Sequence, residues 1–279
     1  MRYLKRQSTN RRLLRGKGVI YDQYENIEIL KIIINTADKL LQRQNGFSRN
    51  LIRFVEDRPG HDKRYAIDSK KISNNKIIKK LRDEYRIEKN KIIIGTVGRI
   101  VPRKGFEYFI EVCKEISHVF KKDCTFVIVG DTPFYFKQNL MNKLKDKVEE
   151  YNLTNKFIFT GYKTDVESYI ADFDIFFIPS RYPDPFPRVV VESMALSKPI
   201  IGFRIGGIGE AVDNGINGYS HNINESPTKN IVSLIENEDL RLSMGFNSRK
   251  KSVNQYDSRI IANKVLLVIE SLFSSSSKA

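Results

Sequence analysis

The chain has 279 residues, 41% of them hydrophobic, and a formal net charge of +15. That apolar content supports a packed core and excludes global disorder, while the length allows one large or two small domains. No apolar run approaches the length that spans a bilayer, and the two cysteines, Cys113 and Cys124, fit core positions better than a disulfide framework or a zinc site.

The N-terminal stretch Met1–Lys17 is basic but has no apolar segment, so a secretory leader is not expected and the chain reads as cytoplasmic. Ile27 to Leu41 has the pattern of one helix. Phe54 to Asp68 has the character of strand, turn, strand, and residues 76–89 read as a highly charged helix. From Lys91 onward the pattern becomes regular. Lys91–Gly98 is a short buried strand, and Phe106, Phe109, Ile110, Cys113, Ile116 and Phe120 then recur at helical spacing. Thr125–Gly130 is a second strand, followed by a charged helix through about Glu150. Lys156–Gly161, Asp174–Pro179 and Pro199–Phe203 are further strands, with a short helix at Val166–Ala171. Strands apolar on both faces and alternating with helices predict an α/β fold, a doubly wound, Rossmann-like parallel sheet. Ligands on such sheets bind beyond the carboxyl ends of the strands. Gly98, Gly130, Gly161, Ser180 and Gly206-Gly207 all fall at those ends.

The most informative stretch is Asp184-Pro-Phe-Pro-Arg-Val-Val-Val-Glu192, with carboxylates eight positions apart across a loop-to-helix junction. Pro187 suits a first helical turn, and the helix is expected to run through Val189, Val190, Glu192 and Met194 and stop near Ser197. Its free N–H groups and dipole favour an anion, and the two acids can grip hydroxyls that flank a bound phosphate. The bland alternative is a loop capping an ordinary helix, with both acids solvated. Arg99 and Lys104 lie in Gly98–Gly105, between the first strand and its helix, where a diphosphate can be clamped. That loop has its own bland alternative, a solvated basic turn. Gly206-Gly207-Ile-Gly209 allows close backbone approach to a phosphate but is not a dinucleotide fingerprint. Tyr85 and Lys89 match a short-chain dehydrogenase spacing, which is rejected because no cofactor loop precedes them. His61, His118 and His221 have no metal-ligand spacing, so neither a metal nor a cofactor is expected. The net charge favours anionic partners. It equally fits a genomic composition bias, and no nucleic-acid motif accompanies it.

Taken together, these pieces from about Ile77 to Phe273 resemble the C-terminal, donor-binding domain of retaining family 4 glycosyltransferases of the two-domain GT-B type. The resemblance rests on Gly98-Arg99 with Lys104-Gly105, Val129-Gly130-Asp131 and Phe159-Thr-Gly161-Tyr162. It continues through Asp184-Pro-Phe-Pro to Glu192-Ser-Met-Ala, Lys198-Pro-Ile-Ile, Gly206-Gly207-Ile-Gly-Glu210 and Asn214–Gly218. It implies a nucleotide-sugar donor of UDP, GDP or dTDP type, with Arg99 and Lys104 on the diphosphate, Glu192 on the ribose and Asp184 at the donor sugar. Gly161, Tyr162, Arg188, Val189 and Val190 complete the implied donor site, with Asp184, Arg99 and Lys104 as its catalytic members. Asp184 replaces the usual Glu, while Pro187 and Ser197 replace common glycines.

Residues 16–73 resemble something else, the C-terminal region of dTDP-glucose 4,6-dehydratases, on Asn26-Ile-Glu-Ile-Leu and the Phe54–Asp68 stretch with its Arg58/His61 turn. That family's glycine fingerprint and Tyr-Lys pair are missing, so dehydratase activity is not expected. The implied division is 1–75, a dehydratase-like fragment, and 76–279, the donor domain. The acceptor half is then expected from a partner chain, with a lipid-linked or polysaccharide acceptor at the inner face of a membrane in a cell-envelope pathway. The rival readings are a non-catalytic nucleotide-sugar-binding remnant and a basic nucleic-acid-binding protein.

Overall fold

The computed structural model describes residues 67–69, 71–72, 77–120, 124–133, 140–183 and 187–264. Its contacts separate a compact unit, Phe54–Ile261, from the rest of the chain, and the fold below is that unit. The helix expected at Ile27–Leu41, the Arg58/His61 turn and Asp184 lie outside the described residues.

Six strands form one parallel sheet: β1 Ile92–Val97, β2 Cys124–Val129, β3 Phe157–Phe159, β4 Ile175–Phe177, β5 Ile200–Phe203 and β6 Gly218–His221. The spatial order is β3-β2-β1-β4-β5-β6, with neighbours in parallel register, for example Gly95 opposite Val127 and Phe177 opposite Ile201. The described helices are α1 Leu81–Glu84, α2 Phe106–Val119, α3 Leu140–Glu150, α4 Val166–Ile170, α5 Arg188–Ala195, α6 Ile208–Ala211, α7 Thr228–Glu236 and α8 Glu238–Tyr256.

Strand residues alternate between two cores, as the period of two requires. Ile94, Phe126, Phe177 and Ile201 face α2, α3 and α7. Ile93, Val127, Phe176 and Ile200 face α1, α4, α5 and α6. Both faces are covered, which is why the central strands are mostly apolar on both sides. Cys113 and Cys124 are buried free thiols in the first core.

At the amino edge of the sheet, charge fastens the elements together. The Asp174 carboxylate accepts from the Ile93 N–H at 2.8 Å and from Arg82 Nη2 at 3.1 Å. Arg82 also donates to the carbonyls of Glu88 and Lys91, and its own N–H donates to Asp172. The buried Lys198 amine donates to the Ala171 carbonyl at 2.8 Å. Burial holds that amine down at about 8, against the pull of Asp174 and Asp172.

Three expectations are corrected. The charged helix over 76–89 is a single turn, Leu81–Glu84, after which Arg86 turns left-handed at φ 52°. Only Leu81 of that turn is buried, and the Arg82 guanidinium holds downstream carbonyls instead of lying along a helix. Pro187 precedes the first turn of α5 in extended conformation, φ −71° and ψ 116°. Its carbonyl accepts the Val190 N–H. Strand β6 was not read from the sequence; it is four residues long, at the sheet edge, and carries the polar Ser220 and His221.

Residues 67–72 belong to the same unit. Ile67 bridges Asp257, and Arg249 donates to the carbonyls of Ser69, Ile72 and Ala195.

Candidate functional site

The strand order reverses between β1 and β4. On an open α/β sheet this switch point opens a crevice outside the carboxyl ends. The loop leaving β1 carries Arg99 and Lys104, and the chain leaving β4 leads into α5 with Glu192. The two motifs separated by some ninety positions in sequence therefore rise from neighbouring strands.

The β1 loop is held by its backbone. The Gly98 N–H donates to Val129 O and the Ile100 N–H to Asp131 O, at 3.0 and 2.9 Å. Pro102–Lys104 forms one 3-10 turn, closed by Gly105 at φ 71°. A Cβ at Gly105 would lie 2.2 Å from the Pro179 carbonyl oxygen, so only glycine lets this turn press against the exit of β4. The Ser180 hydroxyl joins the two exits, donating to Arg103 O at 3.0 Å. Lys104 is thereby set beside the chain that leads to α5.

Helix α5 begins at Arg188 with no side-chain cap. The Val190 N–H is occupied by Pro187 O, which leaves Arg188 and Val189 to present first-turn N–H groups. Glu192, one turn in, is only 6% exposed. Its Oε1 sits 2.6 Å from Nε of the half-exposed Arg188. Burial pushes the Glu192 carboxyl above its ordinary value; the Arg188 charge opposes this and the Glu167 charge adds to it. A buried acid whose described cation is one half-exposed arginine is a candidate binding group.

At the β3 exit, Gly161 adopts φ 69° with open space where a Cβ would stand, and its carbonyl accepts the Gly130 N–H at 3.0 Å. Tyr162 beside it is exposed. After β5, Gly206 turns at φ 52° and Gly207 opens α6, anchored by the buried Ile208. Arg99, Lys104, Gly161, Tyr162, Arg188, Val189, Val190 and Glu192 thus all belong to the carboxyl edge.

Two features of this edge were not anticipated. Arg181 lies over the Tyr108 ring, 5.0 Å from its centroid, and donates to the Ile223 carbonyl, tying the β4 exit to α2 and to the β6 exit. Nothing in its sequence neighbourhood signals this. The Arg188–Glu192 pairing was signalled by its i,i+4 spacing. A cavity of about 290 Å³ opens beside the 3-10 turn, lined by Ile100, Arg103, Phe106, Tyr108 and Arg181 among others; Arg99 and Glu192 do not line it. Among the described residues no helix is long and apolar enough to cross a membrane.

Known proteins share this architecture and sequence. The family model of glycosyl transferases group 1 matches residues 77–251. An uncharacterized glycosyltransferase of Methanocaldococcus jannaschii is 35% identical over 160 residues, which is 56% of this chain and 42% of that protein. A poly(ribitol-phosphate) alpha-N-acetylglucosaminyltransferase of Staphylococcus aureus is 28% identical over 185 residues, 64% of this chain and 35% of that protein. The chain therefore spans less than half the length of these relatives. The crystal structure of Anabaena HepE in complex with UDP superposes with TM-score 0.65 at 24% identity, over 74% of this chain and 56% of that one. The C-terminal domain of a Francisella tularensis group 1 glycosyl transferase superposes with TM-score 0.58 at 22% identity, over 69% of this chain and 99% of that one. The matched span covers the whole sheet, both candidate loops and most of α8, and on that ground the chain belongs to the glycosyl transferases group 1 family, with a Rossmann-like GT-B domain as its described fold.

Proposed function

We propose that the carboxyl edge binds a nucleotide sugar of UDP, GDP or dTDP type and serves a retaining glycosyl transfer of the family 4 kind. The observation that carries this reading is that a basic loop and the helix bearing a buried acid leave neighbouring strands at the reversal of strand order. Glu192 accepts the ribose hydroxyls. Arg99, Lys104 and the first turn of α5 hold the diphosphate, and Asp184 meets the donor sugar. As the bond from the anomeric carbon to the diphosphate breaks, negative charge grows on the leaving group. The same cations and N–H groups then bind it more tightly than the ground state, which lowers the barrier. The acceptor oxygen forms its new bond to the anomeric carbon on the face that the diphosphate leaves, and the hydroxyl proton passes to the departing diphosphate.

The acceptor is a lipid-linked or polysaccharide hydroxyl at the inner face of the membrane, brought by an acceptor half outside the described residues or on a partner chain. A second reading is that this chain binds donor without completing transfer. Residues 16–73 are carried in this proposal as a dehydratase-like segment with no catalytic part.

Calorimetric titration of the folded chain with UDP-, GDP- and dTDP-sugars tests the first reading. Saturable binding of one of them is expected, and no binding at millimolar ligand overturns it. Glycosyl release or transfer by the chain alone would exclude the second.

A further inference from the structure

The position of Arg188 is poorly explained by the stability of α5. It is the first residue of the helix, where the dipole disfavours a cation. Its partner lies four residues toward the C-terminus, the weaker order for an i,i+4 pair. Its side chain is half exposed, and its ion pair with Glu192 is the one described for it. Glu192, in contrast, needs a cation. Its carboxylate is buried, and the charged groups that face it are Arg188 from its own helix and Glu167 from α4. A buried carboxylate left without a partner is strongly unfavourable. Arg188 therefore answers a need of Glu192, from a place where an incoming anion would draw it away.

We infer that Arg188 is a transferable counter-ion: it holds the Glu192 carboxylate until ribose hydroxyls take its place, and then moves to the diphosphate. The inference rests on the donor-site reading and assigns selectivity within it. A nucleoside alone must displace the guanidinium without offering it a new anion. A nucleoside diphosphate supplies both the hydroxyls and the anion. One side chain thus couples ribose docking to diphosphate capture and makes the edge selective for diphosphates over their nucleosides. No covalent step is involved; the exchange swaps one charge-assisted contact for another.

The test compares a nucleoside diphosphate with its own nucleoside, using whichever of UDP, GDP and dTDP binds tightest, by calorimetry and by ligand-observed NMR for millimolar affinities. Arg188→Leu is expected to weaken the diphosphate roughly tenfold or more while leaving the nucleoside unchanged or tighter, so that the preference collapses. Arg188→Gln, which keeps hydrogen-bond donors without the charge, should collapse it likewise and guards against a folding defect in the leucine variant. In Glu192→Gln the guanidinium is already released. The diphosphate preference should persist there, and adding Arg188→Leu should no longer help the nucleoside. Equal weakening of both ligands by either Arg188 variant overturns the inference, as does no change in either, or nucleoside binding that is undetectable in every variant. Failure of the site reading looks different: the folded wild type binds neither ligand, or Glu192→Gln alters neither affinity.

Discussion

At the amino edge of the sheet, Arg82, Asp174 and Lys198 are bound to backbone groups at the start of β1 and the end of α4. At the carboxyl edge, glycines set the backbone, and charge stands on loops and at a helix start, with one buried acid matched to one half-exposed arginine. The same residue types do different work. Where a charge is satisfied by the main chain it fixes the fold. Where it is satisfied by another mobile side chain it is available for exchange. Mutations at the two edges should accordingly separate stability from binding.

The largest effect is expected from Asp174→Ala. It strips the Ile93 N–H of its carboxylate and takes from Arg82 the carboxylate that anchors it to β4, so urea unfolding should show a loss of about 3 kcal/mol. Nucleotide affinity of the folded fraction should stay at the wild-type value. A large loss of affinity would break the contrast between the edges.

Gly105→Ala comes next, and it should cross the divide. A left-handed alanine meeting the Pro179 carbonyl should cost about 2 kcal/mol of stability. Because the 3-10 turn must withdraw from the β4 exit, diphosphate affinity should also fall roughly tenfold, which is about 1.4 kcal/mol.

Glu192→Gln should act on binding alone. Affinity for the nucleoside diphosphate is expected to fall by about 1.5 kcal/mol through the lost charged acceptor. Stability should be unchanged or slightly higher, because the neutral side chain escapes the burial that raises the acid's pKa. A marked fall in melting temperature would make this residue structural and sink the proposed role.

The smallest effect is a pH dependence. The carboxyl is raised above its ordinary value in the folded chain, so on acidification it takes up a proton earlier than in the unfolded chain. Binding that needs the carboxylate should therefore be constant at higher pH and weaken as pH falls through the raised value, by about threefold per half unit at most. The fold itself should gain stability from this group over the same descent, since the folded state binds the proton more tightly. Diphosphate protonation adds its own slope; only the part that disappears in Glu192→Gln belongs to this residue.

Five of the six strands were legible because each is a short run apolar on both faces, as with Phe126–Val129 and Ile175–Phe177. Glycines at the strand exits were legible for the same reason, as abrupt ends to those runs. Strand β6 was hidden because Gly-Tyr-Ser-His carries no apolar run, and its pairing with β5 is a long-range fact. The charged stretch before β1 misled, since Arg82 is spent on carbonyls such as that of Lys91, and Lys80 and Glu84 on Asp165 and Lys163, instead of along a helix. Most of the proposed site could be read as separate motifs. Their meeting could not, because strand order decides it, and no local pattern records that β1 lies beside β4.

The rim of glycines has a consequence for how such a domain can diversify. A Cβ at Gly130 would come within 1.9 Å of the Gly98 carbonyl oxygen, and Gly130 in turn donates to Gly161. Three strand exits are therefore welded main chain to main chain, with no side chain in the joints. Selection can rewrite a side chain hung just beyond, such as Tyr162, without disturbing the frame that carries it.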